Sequence, residues 1–419
     1  MEKLNLLFCG DFAPCRRWFD VKPNTNVFGN TNDIIKNSDL AFVNLESPAT
    51  NVGKHILKDG PNLRTKFEWL VPIREVGFNL LGLANNHFGD YGEEAVIDCI
   101  ANCIKLGLST VGAGKNLKEA QRIFYFEKHN IKVAIIAICE HEFGIAEDNK
   151  VGTAPLDVID NIRQINEAKQ NADFVITSIH GGNEYFTYPR PYLRKLCQFY
   201  IEQGCDAVIC HHPHVPGAYE VYNEKPIIYS LGNFLFDNLN PPMGWNEGYM
   251  VKLELSKNTP IIKGECQAMP DKGILNNEQL KEKPLCHCVT SPLVRGVSLE
   301  FELIPYTQSF EQGGIKLMTG SEKESFLNRI EEYRITLNNE EKYKKVWKEF
   351  CDSNKLNYLM IQYSPFKFRG LYRIFKLLGL SKLLISNISR LAIRLNYIRC
   401  ESHREVLLKI LNDELISRF

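Results

Sequence analysis

The strongest constraint on this chain's fold is a series of short apolar runs, each stopping abruptly at carboxylate, amide or imidazole side chains. The runs are residues 4–9, 40–43, 80–83, 133–139, 174–179, 207–210 and 227–231. Runs this short and this rich in Val, Ile and Leu predict strands buried on both faces. Between several of them lie helical spacings: Ala95, Cys99, Cys103 and Leu106; Val158, Ile162, Ile165 and Ala168; Leu193, Leu196 and Tyr200 ahead of the Gly204 stop. Strands alternating with helices predict an α/β layered domain. Further on, residues 249–255 and 297–304 alternate like antiparallel strands, and the irregular stretch 257–291 between them reads as a long loop. Phe326, Ile330 and Tyr333 mark a charged helix within 321–355, and 366–419 is helical again. The expected division is one domain over residues 1–310 and a C-terminal helical region over 321–419.

The 50 Lys+Arg and 50 Asp+Glu cancel, which excludes a nucleic-acid-binding polycation, so no nucleic-acid partner is expected. The balance is uneven. Lys367, Arg369, Arg373, Lys376, Lys382, Arg390, Arg394 and Arg399 occur with no acid between residues 363 and 400, leaving a net acidic body. The segment 366–400 has two readings: a helix lying peripherally on an anionic membrane, or a helix pair docked on that body. Ser381, Ser386, Asn387 and Ser389 interrupt its apolar surface and exclude a true span. The 13 cysteines are odd in number and scattered through predicted elements, as reduced, buried thiols are. With no signal-peptide pattern at the start, the expected location is the cytoplasm, with a peripheral position at the inner face of the membrane as the alternative.

The residues just past the end of each run carry the chemistry. The first run leads into Gly10-Asp11, the second into Asn44-Leu45-Glu46, and the third into Ala84-Asn85-Asn86-His87-Phe88-Gly89-Asp90. Residues 174–179 lead into His180-Gly181-Gly182, and 207–210 into His211-His212-Pro213-His214. In an open α/β sheet the carboxyl ends of the strands line one crevice, so carboxylates, an Asn and several imidazoles arrive at one edge. That mixture of oxygen and nitrogen donors suits Mn, Fe or Zn. The Cys286-His287-Cys288 cluster is too tightly spaced for a zinc knuckle.

The order Asp, acid, Asn-His, His, His-x-His resembles the calcineurin-like metallophosphoesterase superfamily, whose fold is a layered β-sandwich flanked by helices. Within it the chain resembles the CapA/PgsA family of capsule and poly-γ-glutamate synthesis. Six ordered stretches carry the likeness: Gly10-Asp11 with Arg16, Asn44-Leu45-Glu46, Asn85-Asn86-His87 with Asp90, His180-Gly181-Gly182-Asn183-Glu184-Tyr185, His211 to Val215, and Ser230-Leu231-Gly232-Asn233-Phe234. The resemblance implies two divalent cations about 3.5–4 Å apart. Glu46 would bridge them, Asp11 and His214 would hold the first, and Asn86, His180 and His212 the second. It places His87 at the substrate as electrophile or proton donor, with Asp90 either orienting it or capping a helix. Arg16, Asn85 and Glu184 would contact an anionic small-molecule or polymer substrate.

One departure stands out. Most superfamily members read Asp-x-His, whose His is a ligand, whereas Asp11-Phe12-Ala13 ends on a residue that coordinates nothing. Two functions are therefore expected to compete: a metal-dependent, phosphoesterase-like hydrolase in surface-polymer biosynthesis, and a largely non-catalytic metal-binding scaffold of an envelope-polymer assembly.

Overall fold

A computed structural model of the protein describes residues 2–58, 60–257, 287–289, 297–363 and 395–416. Strands β1 (Lys3–Ala13), β2 (Leu40–Leu45), β3 (Leu80–Gly82) and β4 (Ser109–Val111) run parallel, side by side. The chain then forms β5 (Ala113–Gly114), β6 (Phe124–Lys128), β7 (Ile131–Cys139) and β8 (Gly152–Thr153), with β5 and β8 pairing apart from the rest. Next come β9 (Phe174–His180), β10 (Ala207–His211), β11 (Tyr219–Tyr222) and β12 (Lys225–Ile228). These complete a second sheet ordered β11-β12-β10-β9-β7-β6. Finally β13 (Asn233–Phe236), β14 (Glu247–Lys257), β15 (His287–Val289), β16 (Val297–Ser309) and β17 (Gly314–Leu317) extend the first sheet beyond β1.

The two sheets share one core, in which Leu6, Phe8 and Phe42 meet Val133, Ile135, Ile176 and Ile209. The outer face of the first sheet is sealed by a second cluster that includes Trp69, Ile73, Phe78, Cys99 and Cys103. Helices Val158–Asn171 and Pro191–Gln203 seal the outer face of the second sheet through Ile165, Leu196 and Tyr200. Because both faces of each central strand are buried, the runs read as continuous rather than alternating apolar sequence. The crevice at the strand ends therefore lies between two facing sheets, not along the edge of one. The last run, 227–231, is strand only as far as Ile228.

Helices Gly320–Asn338 and Glu340–Tyr363 follow β17, and helix Glu401–Ile416 closes the described chain. Trp347 and Phe350 pack on Phe186, a residue of the loop after β9, at ring-centroid distances of 5.8 and 4.3 Å. Val406 and Ile410 of the last helix belong to the same cluster. Most of the expected long loop 257–291, and most of the basic segment 366–400, lie outside the described residues. At the end of that segment Tyr397 and Cys400 are buried. Among the described residues no helix is long and apolar enough to cross a membrane.

Buried charge fixes this docking. Arg190, 1% exposed, reaches Glu140 at 2.7 Å and Glu405 at 2.6 Å. Burial opposes ionisation of Glu140, but Arg190 and the Ser402 hydroxyl outweigh it and hold its carboxyl below the usual range. A carboxylate whose folded pKa is depressed stabilises the fold above its unfolded pKa, and that stability is lost as pH falls through the folded value. The Glu140→Gln variant should therefore lose stability at neutral pH and show a flatter acid-unfolding profile below about pH 4.5 than the wild type. Urea melts across that range measure it.

Candidate metal centre

Six side chains far apart in sequence meet where the two sheets' carboxyl ends face each other. Asp11 lies near the end of β1 beside a bulge, where the register with β2 shifts between Cys9 and Asp11. A bulge re-aims the next side chain, and Gly10 is what permits it. A Cβ at Gly10 would lie 2.0 Å from the carbonyl oxygen of Gly232, the same oxygen that accepts from Asp11 N–H at 3.1 Å. Glu46 follows β2 directly, and Asn86 and His87 lie in the turn after β3. His180 ends β9, and the paired strands β7 and β10 place Cys139 and His211 beside it. His212 and His214 follow β10 in left-handed backbone, with φ of 100° and 60°. Such conformations cost non-glycine residues energy and persist where surrounding structure imposes them, most often at functional sites.

The donors fall into two groups that share Glu46: Asp11, Glu46 and His214, and Glu46, His180 and His212, with the atoms of each group within 4.8 Å of one another. His180 Nε2 lies 3.0 Å from Asn86 Oδ1, 3.1 Å from His212 Nδ1 and 3.6 Å from Glu46 Oε1. On the other side, His214 Nε2 is 3.5 Å from Glu46 Oε1 and His214 Nδ1 is 3.5 Å from Asp11 Oδ2. Ligand bonds of about 2.0–2.2 Å set donors around one ion about 3.0–3.5 Å apart, which is close to the spacing found here. Both Glu46 oxygens are fully buried with no hydrogen-bond partner. An uncompensated buried carboxylate is costly, and a cation between the groups removes that cost. The residues fit a divalent cation.

The electrostatics agree. Burial, then the neighbouring Asp11 and Glu184, pushes the Glu46 carboxyl well up. Asp11 moves the opposite way: burial opposes ionisation, but the imidazoles of His211 and His214, each 3.5 Å away, outweigh it. A ring of outer contacts orients the donors. Asn44 Nδ2 donates to Asp11 Oδ1 at 2.7 Å, and Asn233 Oδ1 sits 3.0 Å from His214 Nδ1, leaving Nε2 turned to Glu46. Asn86 Nδ2 donates to Glu142 Oε2 at 3.3 Å.

Residues 5–238 match the model described as bacterial capsule synthesis protein PGA_cap, more than half of the chain. The chain belongs to the PGA_cap family. It is 34% identical to the "Capsule biosynthesis protein CapA" of Bacillus anthracis over 62% of this chain and 66% of that protein. It is 31% identical to the "PGA biosynthesis protein CapA" of Bacillus subtilis over 69% of this chain and 78% of that protein. The chain thus spans roughly two thirds to four fifths of these relatives' lengths. Among solved structures, a phosphatase from Mycoplasma pneumoniae aligns at 15% identity, covering 61% of this chain and 88% of that one, with a TM-score of 0.40. An NAD nucleotidase from Haemophilus influenzae aligns at 13% identity, covering 79% and 56%, with a TM-score of 0.39. Nothing about activity follows from likenesses of that degree.

In this PGA_cap chain position 13 sits in apolar surroundings. Ala13 lies in an apolar cluster with Cys15, Leu63, Phe236 and Trp245, whose two aromatic rings flank the His214 ring at 5.2 and 5.1 Å. His211 holds its Nδ1 3.5 Å from Asp11 Oδ1 and belongs to neither donor group.

His87 Nδ1 is 2.7 Å from Asp90 Oδ2, so Asp90 orients the ring, while the helix that begins at Gly92 has no side-chain cap. Asp90 also accepts from Leu63 N–H at 2.7 Å and from Lys58 Nζ at 2.6 Å. Lys58, whose side chain is buried and which strand-end reasoning missed, lies 3.1 Å from His87 Nδ1 as well. Burial, then Lys58, lowers the His87 pKa against the pull of Asp90. The Lys58→Met variant leaves Asp90 underpaired and should destabilise the fold by about 3 kcal/mol, which chemical denaturation measures.

Of the expected substrate contacts, Asn85 is fully buried, donating to the Leu45 carbonyl at 2.9 Å and accepting from His87 N–H at 3.2 Å, so it ties two strand-end loops together. Arg16 is exposed, donates to the Asp237 carbonyl at 3.0 Å and lies over the Phe236 ring. Glu184 reaches solvent at the mouth; partial enclosure works against its ionisation, but His214, His212 and His87 outweigh that and lower its pKa. Tyr185 beside it is 49% exposed and lies 6.1 Å from Trp245, while Phe186 packs into the C-terminal helices.

Proposed function

We propose that this PGA_cap protein is a metal-dependent hydrolase, phosphoesterase-like in mechanism, that acts on an anionic precursor or polymer in capsule or poly-γ-glutamate synthesis. The observation that carries the proposal is Glu46, a buried carboxylate with both oxygens unpartnered inside a ring of imidazoles. Two divalent cations, Mn, Fe or Zn, would be held by Asp11, Glu46 and His214 on one side and by Glu46, Asn86, His180 and His212 on the other. Bound there, they would supply Lewis-acid stabilisation of charge and lower the pKa of water toward neutrality.

The remaining work falls to the chain. Asp90 fixes the Nδ1–H of His87, leaving Nε2 to exchange a proton with the leaving oxygen. Arg16 at the mouth offers a guanidinium to phosphate or carboxylate. The apolar wall of Phe236 and Trp245 beside His214 keeps bulk water from one flank of the centre. The biological setting comes from the relatives, whose names place them in capsule and PGA biosynthesis.

A second reading, a metal-binding scaffold with little turnover, is favoured by the apolar cluster around Ala13. Assays of Mn²⁺-loaded protein on phosphodiester, phosphomonoester and poly-γ-glutamate substrates separate the two. Turnover supports the hydrolase. Stoichiometric cation with no turnover of any of the three supports the scaffold.

A further inference from the structure

The residues that orient the second cation subsite are themselves held by a part of the chain that the family match, ending at residue 238, does not reach. Immediately after β7, Glu140 N–H donates to the His180 carbonyl at 3.1 Å, so residues 140–142 run alongside the end of β9. The contact is close. A Cβ on Gly181 would lie 2.7 Å from the Glu140 side chain, and Gly182 N–H donates to Glu140 Oε1 at 3.1 Å.

Two residues on, Glu142 faces both outer ligands of the second subsite. Its Oε2 accepts from Asn86 Nδ2 at 3.3 Å, and its Oε1 is the acidic oxygen 3.9 Å from His212 Nε2. With His212 Nδ1 turned to His180, Nε2 is the nitrogen on the side of this carboxylate, as in carboxylate–histidine–metal arrangements.

Residues 400–405 hold this loop from the far end of the chain. Cys400 Sγ lies 3.7 Å from Glu142 Oε1 and 3.6 Å from Glu140 Oε2. Ser402 donates to Glu140 Oε2 through its N–H at 3.2 Å and through its hydroxyl. Glu401 accepts from His141 N–H at 2.9 Å, and Glu405 pairs with Arg190. Every residue from 140 to 142 thus touches the chain at or just before the start of helix Glu401–Ile416.

We propose that residues 400–405 are a working part of the second cation subsite. They clamp the 140–142 loop so that Glu142 holds Asn86 and His212 in register, making Glu142 and Ser402 positioning residues. This rests on the proposed cation centre, and its test reads cation binding rather than turnover.

Full-length wild type, Glu142→Gln, Ser402→Ala and the double variant are loaded with Mn²⁺ and compared by equilibrium binding and by electron paramagnetic resonance, which separates coupled ion pairs from single ions. Tyr343→Phe is the control: it loses the hydroxyl's 2.8 Å bond to the Pro189 carbonyl, a brace that does not touch residues 140–142. The expected result is a second-ion affinity about 10–100-fold weaker in Glu142→Gln, with the coupled signal giving way to a single-ion one. Ser402→Ala should weaken the same ion several-fold, the double variant should match Glu142→Gln alone, and Tyr343→Phe should change melting temperature but not ion count.

Unchanged second-ion affinity in Glu142→Gln overturns the proposal, and so does weakening in Glu142→Gln with none in Ser402→Ala. Wild type that binds no ion removes the cation centre itself, a result distinct from both.

Discussion

The Glu46→Gln variant is expected to lose cation binding while its cation-free form melts no lower than wild type. Both halves follow from one feature. Glu46 is fully buried, neither oxygen has a partner, and burial together with Asp11 and Glu184 works against its charge. An amide of the same shape removes that cost in the empty protein and removes the shared donor in the loaded one. At a cation concentration about a thousand times Kd, binding stabilises a fold by about 4 kcal/mol. Thermal melts with and without Mn²⁺ should therefore separate clearly for wild type and coincide for the variant. A variant that keeps the full Mn²⁺ shift would show that Glu46 is not the bridge.

The His87→Ala variant is expected to keep cation binding and lose about 10²–10⁴-fold in kcat, the usual contribution of a positioned proton donor or acceptor. The separation is legible in the geometry. His87 belongs to neither donor group, and its Nδ1 is committed to Asp90. Steady-state kinetics on whichever substrate is turned over, alongside Mn²⁺ titration, measures both quantities. Equal kcat in variant and wild type would remove His87 from the chemistry.

The strand-end residues are legible in the sequence because strand geometry leaves them little freedom. A short run buried on both faces brings the polar residues that follow it to the end of its strand, so Asp11, Glu46, His180 and the His212–His214 pair can be assigned to one edge without coordinates. The runs do not reveal that they belong to two sheets. Residues 40–43 and 174–179 look alike because each strand is covered on both sides, and alternation, the usual mark of sheet sidedness, is missing.

The supporting residues are hidden for a different reason. Lys58 lies in a loop with no periodicity, and it reads as an ordinary surface lysine until Asp90 is placed beside it. Glu142, Arg190, Ser402 and Glu405 resemble solvated polar positions. Their meaning comes from contacts distant in sequence, 56 residues apart for Asn86–Glu142 and 262 for Glu140–Ser402, which no local pattern encodes. Asn85 is hidden in the same way: its bonds to the Leu45 carbonyl and the His87 N–H appear only once the two loops are side by side.

The most direct test of the central claim is a crystal structure of Mn²⁺-soaked protein with anomalous data collected at the manganese edge. Two peaks about 3.5–4 Å apart are predicted, one contacted by Asp11, Glu46 and His214 and the other by Glu46, Asn86, His180 and His212. Well-ordered crystals with no anomalous density among these residues, or with manganese bound only elsewhere on the molecule, would contradict it.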